Sequence, residues 1–168
     1  MTVTAVSRDP EALTMTITAE FDASPERVWQ LWADPRQLER WWGPPTYPAT
    51  VDSHDLRPGA RVEYHMTGPE GDQPRGYWEI VEADAPRRIV FRDGFANDDG
   101  SPNNELPVNE VQVTIEEVGG NRTRMSIASI FPNAAAMEQV LSMGMEQGLT
   151  EALGQIDAIL AEDVVQQR

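Results

Sequence analysis

Apolar and polar residues alternate from Leu13 to Phe21 (LTMTITAEF), the period-2 pattern of a strand with one buried face. Ser24 then offers a helix N-cap with Pro25 at the first helical position, and Val28, Leu31 and Trp32 recur at helical spacing. Pro35 opens a second short helix through Leu38 to Trp41, which Gly43-Pro44-Pro45 stops. Strand-like segments follow at close intervals: Tyr47 to Leu56, Arg61 to Thr67, Gly76 to Glu82, Arg88 to Phe95, Val108 to Glu117 and Arg122 to Phe131. The breaks between them are rich in Gly, Pro, Asn and Asp. None is long enough for a crossover helix, so consecutive strands are expected to form an antiparallel meander. From Asn133 the period turns helical. Asn133 caps AAAMEQVLSM, and Met145, Leu149, Ala152, Leu153, Ile156, Ile159 and Leu160 fall on one face of a helix from about Met145 to Leu160. Periodicity thus gives an α+β domain in which a sheet buries the last helix. Residues 1–11, polar and carrying Pro10, read as a flexible arm, residues 12–163 as a single domain, and residues 164–168 as a tail.

The RPGA turn permits a register argument. Centred on Pro58 and Gly59 without a bulge, it sets Tyr64 opposite Ser53, Met66 opposite Val51 and Val62 opposite Asp55. The apolar set then points inward. His54 and His65 fall on the outer, wetter face with Asp52 and Glu63, and solvated surface rather than a metal site is expected there.

Composition narrows the function. The chain has 168 residues, 40% of them hydrophobic, enough for one ordinary core. Without cysteine there is no disulfide framework, thiolate metal site or thiol nucleophile. No apolar run approaches the roughly 20 residues that span a bilayer, and the N-terminus lacks a signal-peptide pattern, so a cytoplasmic protein without membrane insertion is expected. Acidic residues number 28 against 13 basic ones, all arginine, for a formal charge of −15. Such a surface repels phosphate backbones and offers an acidic face to a basic protein partner. GxSxG, HExxH, Walker and GxGxxG motifs are absent, and no cofactor or metal is expected.

Several short motifs in order carry a resemblance: Trp29-Gln30-Leu31-Trp32, Asp34-Pro35, Trp41-Trp42-Gly43, Asp55-Leu56-Arg57-Pro58-Gly59, Gly94-Phe95 and Gly144-Met145-Glu146-Gln147-Gly148. Together they make the chain, from about Leu13 to Glu162, resemble the activator-of-Hsp90-ATPase-like branch of the START/Bet v 1-like superfamily. The resemblance implies a helix-grip fold, a curved antiparallel sheet wrapped around a long C-terminal helix with a hollow between them. It also implies a hydrophobic or amphipathic small-molecule ligand. Candidate lining residues are Trp42, Tyr64, Met66, Trp78, Phe91, Phe95, Met143, Met145 and Leu149, aromatic and sulfur side chains of the kind that line apolar pockets. If Phe91 faces a void, its truncation to alanine should cost under about 2 kcal/mol. Two other functions stay open. One is a co-chaperone-like interaction module acting on an ATPase. The other is a cyclase or hydrolase using cavity groups, with Glu79, Asp93 and Tyr64 as the candidates, because a buried carboxylate of raised pKa serves as general acid or base.

The charge balance yields a direct test. The chain should give no gel shift with DNA or RNA at physiological salt, since non-specific affinity depends on phosphate neutralisation. Micromolar binding that weakens as salt rises would contradict this.

Overall fold

The computed structural model describes residues 3–166, with side chains from 3 to 163. The elements are β1 (Val3–Asp9), β2 (Thr14–Phe21), α1 (Pro25–Ala33), α2 (Pro35–Trp41), β3 (Ala49–His54), β4 (Arg61–Met66), β5 (Arg75–Asp84), β6 (Arg88–Ala96), β7 (Asn109–Gly119), β8 (Arg122–Ile130), α3 (Ala134–Ser142), α4 (Met145–Leu153) and α5 (Ile156–Gln166). One eight-stranded sheet runs in the order β1-β2-β8-β7-β6-β5-β4-β3, with every neighbouring pair antiparallel. Strands β3 to β8 form the expected meander. The long-range step is β2 on β8, paired without a shift from Thr14–Ile130 to Phe21–Thr123, which ties the start of the chain to the end of the meander.

Local chemistry places the two short helices. The Ser24 side chain accepts from the Arg27 N–H and caps α1, and Asp34 ends α1 while capping α2 through the Arg36 N–H. Caps this close together force a sharp turn, so Leu31, Trp32, Leu38 and Trp41 all point into the concave face of the sheet. There Trp32 and Trp41 meet edge to face at 4.8 Å, and Trp78 stacks on Phe91 at 4.2 Å. The buried indoles of α1 and α2 are satisfied: Trp41 Nε1 donates to the Leu31 carbonyl at 2.9 Å and Trp32 Nε1 to Met125 Sδ at 3.2 Å. Helix α2 also shields the edge strand β3. The Glu39 carboxylate accepts from Val51 N, and Arg36 Nη2 donates to Val51 O.

Three local expectations are corrected. The segment expected as a flexible arm forms β1 over Val3–Asp9, while residues 1 and 2 lie outside the described residues. Its side chains are almost all exposed, so the hydrophobic period was silent. Backbone hydrogen bonds to the free edge of β2, and an Asp9 side chain accepting from the Glu11 and Ala12 N–H groups, hold it instead.

The β3–β4 register differs too. Gly59, at φ +87°, makes the Arg57–Ala60 turn as expected, but Val51 pairs with Tyr64, Ala49 with Met66 and His54 with Val62, because a bulge intervenes between Val51 and Ser53. The inward set Val51, Val62 and Tyr64 survives. His65 stays outside, with Nδ1 2.8 Å from Asp52. The bulge turns His54 towards α1, where Nε2 lies 2.8 Å from the Trp32 carbonyl, so the two histidines do not share a face.

The C-terminal helix is interrupted. At Gly154–Gln155 the ladder tightens, with Gln155 N bonding Ala152 O, and the Gln155 side chain donates to the Gly43 carbonyl at 2.7 Å. The result is α4 followed by α5. Helix α5 buries Ile156 and Ile159 and runs on through 164–166, part of the expected tail, whereas residues 167–168 lie outside the described residues. Ion pairs Arg27–Asp163 and Arg40–Glu162 fasten α5 to α1 and α2. Among the described residues no helix is long and apolar enough to cross a membrane.

Phe91 has no exposed surface and is stacked face to face on Trp78. Its replacement by alanine should therefore cost about 3–5 kcal/mol in urea unfolding, the range for a packed phenylalanine. A loss under about 2 kcal/mol would place it against a void instead.

Candidate functional site

The aromatic wedge fills only one end of the concavity. At the other end a cavity of about 290 Å³ lies between strands β4 to β7 and helices α3 and α4. Trp42, Tyr64, Met66 and Phe95 line its floor and wall; Met143, Met145 and Leu149 line its roof. Two residues expected there are elsewhere. Trp78 and Phe91 have no exposed surface and belong to the solid core, one step further along β5 and β6. Gly148 also lines the space, as do Pro44, Pro74, Gly76, Asn109 and Val140, which were not anticipated.

The strand pleat explains these positions. Tyr64 pairs with Gly76, which pairs with Phe95, so the three share one face. A Cβ at Gly76 would lie 2.3 Å from the Tyr64 hydroxyl, so a side chain there would displace the Tyr64 ring. In the next row Val62, Trp78, Asp93 and Asn109 follow one another across the sheet. Asn109 keeps phase with the buried Val111, Val113 and Ile115, and that alternation was visible in the sequence. The same rule excludes Glu79. Lying between the inward Trp78 and Ile80, it points out, its side chain is 45% exposed, and it faces Arg61 at 3.4 Å. Glu79 is thus removed from the candidate acid–base groups, while Asp93 and Tyr64 are brought together at the cavity.

Tyr64 donates its hydroxyl to Asp93 Oδ1 over 3.4 Å, long for an O–H···O bond. Burial pushes the Asp93 carboxyl up to about 7, with the Tyr64 hydroxyl opposing it weakly. Burial first, and the neighbouring Asp93 charge second, raise the Tyr64 phenol well above its ordinary value. The indole Nε1 groups of Trp42 and Trp78 are buried and lie near enough to the Tyr64 oxygen to favour its ionised form, yet fall short of hydrogen-bond geometry. Asn109 Oδ1 is buried with no hydrogen-bond partner among the described residues. The cavity therefore has apolar walls and one polar corner made of Asp93, Asn109, Tyr64 and Trp42. Arg75 is the cation in its lining, and its guanidinium is drawn to Asp52 at 3.4 Å.

The helical roof is loosely built. Gly144, at φ +88°, starts α4 without a side-chain cap. Gly148 lies inside the helix, and a Cβ added there would meet nothing within 4 Å. Met143 is 54% exposed at the rim.

The Asp93 environment gives a pH test. An unfolded aspartate loses its proton near pH 4, whereas folded Asp93 holds it to about 7. Between these values the folded chain binds more proton, so this group's contribution makes stability fall as pH rises. Asp93→Asn removes that component. From about pH 5 to about pH 8 the variant should gain on wild type by roughly 1–3 kcal/mol in urea unfolding, and a pH-independent difference would show that Asp93 is solvated.

Comparison with known proteins agrees with this architecture. The family model described as "Activator of Hsp90 ATPase homolog 1-like protein" matches residues 22–161. Protein Ms6760 from Mycobacterium smegmatis, known from a crystal structure, is 51% identical over 94% of this chain and 96% of its own, with a TM-score of 0.87. A protein from Arthrobacter aurescens solved by solution NMR is 50% identical over 96% and 93% of the two chains, with a TM-score of 0.91. At 22% identity the AHSA1 protein from Silicibacter pomeroyi shares the fold, with a TM-score of 0.71 over 89% of this chain and 99% of that one. Curated proteins give no match. With a match across most of its length and the sheet and helices of the helix-grip fold in place, this chain belongs to the activator of Hsp90 ATPase homolog 1-like family.

Proposed function

We propose that this protein binds an apolar small molecule in the cavity between strands β4–β7 and the α3–α4 roof. The observation that carries the reading is Gly148. A glycine inside a helix forfeits about 1 kcal/mol relative to alanine, and here it faces open space over apolar walls rather than a crowded neighbour. A packed core would favour a side chain at that point. The volume of about 290 Å³ suits a compact body of two fused rings better than a long acyl chain. Met66, Met143 and Met145 adapt the walls to shape, since a thioether chain fills irregular gaps at little cost.

Filling the space tests the proposal without removing any contact. The neutral fluorophore N-phenyl-1-naphthylamine should brighten on binding wild type. Gly148→Ala should keep binding and raise stability by up to about 1 kcal/mol. Gly148→Leu should stay folded and weaken the probe at least tenfold by occupying its place. Equal binding by the leucine variant, or no binding by wild type, would overturn the proposal.

A further inference from the structure

We infer that the molecule held in this cavity carries a hydrogen-bond donor on its buried end, received by Asp93 and Asn109. The inference rests on the binding role proposed above and specifies the ligand's chemistry. Asn109 is 3% exposed, it lines the cavity, and its Oδ1 has no partner. Its ladder neighbour Asp93 receives a single long bond from the Tyr64 hydroxyl. A buried acceptor left without a donor is destabilising, and Asn109 Oδ1 is one, set beside a carboxyl group that receives a single long bond.

Among the described residues no donor reaches Asn109 Oδ1. Tyr64 spends its proton on Asp93, and the buried Trp42 and Trp78 indole N–H groups make no hydrogen bond, to Asn109 or to any other described residue. What the corner lacks is a proton from outside the protein, which a hydroxyl or an N–H on the ligand supplies. An anionic head is disfavoured. It would meet the Asp93 carboxyl, and Arg75, the cation of the lining, is engaged by Asp52. The ligand class is therefore an apolar ring system with a hydroxyl or amine group, rather than a carboxylate such as a fatty acid.

Three probes of nearly equal size separate the possibilities: 2-naphthol, 2-methylnaphthalene and 2-naphthoate, titrated at about pH 8 against wild type and Asn109→Leu. Binding is followed by the NMR shift of the Trp42 indole N–H. Wild type should bind 2-naphthol at least tenfold more tightly than 2-methylnaphthalene, as expected for a hydrogen bond to a buried acceptor, with 2-naphthoate weakest. Asn109→Leu should cut the ratio of 2-naphthol to 2-methylnaphthalene affinity severalfold. It should melt no lower than wild type, because the lost oxygen had no partner. If both neutral probes bind wild type alike, or 2-naphthoate binds best, the donor inference is wrong while the cavity stands. If no probe shifts Trp42 in wild type, the binding role fails and takes the inference with it.

Discussion

The structure depends on how four indoles fill one end of a curved sheet. Trp32 and Trp41 reach that end because Ser24 and Asp34 cap two helices nine residues or fewer in length. Trp42 then meets Trp78 edge to face at 4.8 Å, and Trp78 lies flat on Phe91. Large rings packed in this way contribute both buried area and preferred geometry. With the wedge in place, α5 is pinned alongside by Arg27 and Arg40. Helix α4 must then bridge the remaining concavity, where no comparable wedge exists.

That division gives the cavity a rigid floor and an adaptable roof. The floor is backbone-paired sheet, closed through the unshifted β2–β8 ladder, and its polar corner sits at fixed register positions in β4, β6 and β7. The roof is Val140 of α3, Met143 and Gly144 at the junction, and Met145, Gly148 and Leu149 of α4. Recognition of a polar group benefits from the fixed side, and tolerance of ring shape comes from the other. The same division explains Asp93. A carboxyl on a sheet row between Trp78 and Asn109 has little water and, among the described residues, no cation beside it, so its proton is held to near neutral pH.

Much of the fold was legible because its signals are local. Caps at Ser24 and Asn133, Pro35 at a helix start and alternating apolar positions marked most elements to within a residue or two. β1 was missed because an edge strand with both faces wet has no period to read, and the β3 bulge because one extra residue leaves no trace in composition. The cavity was legible by face and not by depth. Alternation shows that Trp78 and Phe91 point inward with Tyr64 and Phe95, but which rows the wedge covers depends on where α1 and α2 land. Glu79 was offered against its own strand phase. Asn109 was overlooked although its phase with Val111 and Val113 was plain.

The concave face is solid at one end, where the indoles stack, and hollow at the other. Crystals exposed to pressurised xenon test it most directly, since xenon settles in apolar cavities without needing a polar partner. A xenon peak is expected among Trp42, Met66 and Leu149, with none between Trp32, Trp78 and Phe91. Xenon within the wedge, or an α4 collapsed onto the sheet with no site beneath it, would contradict it.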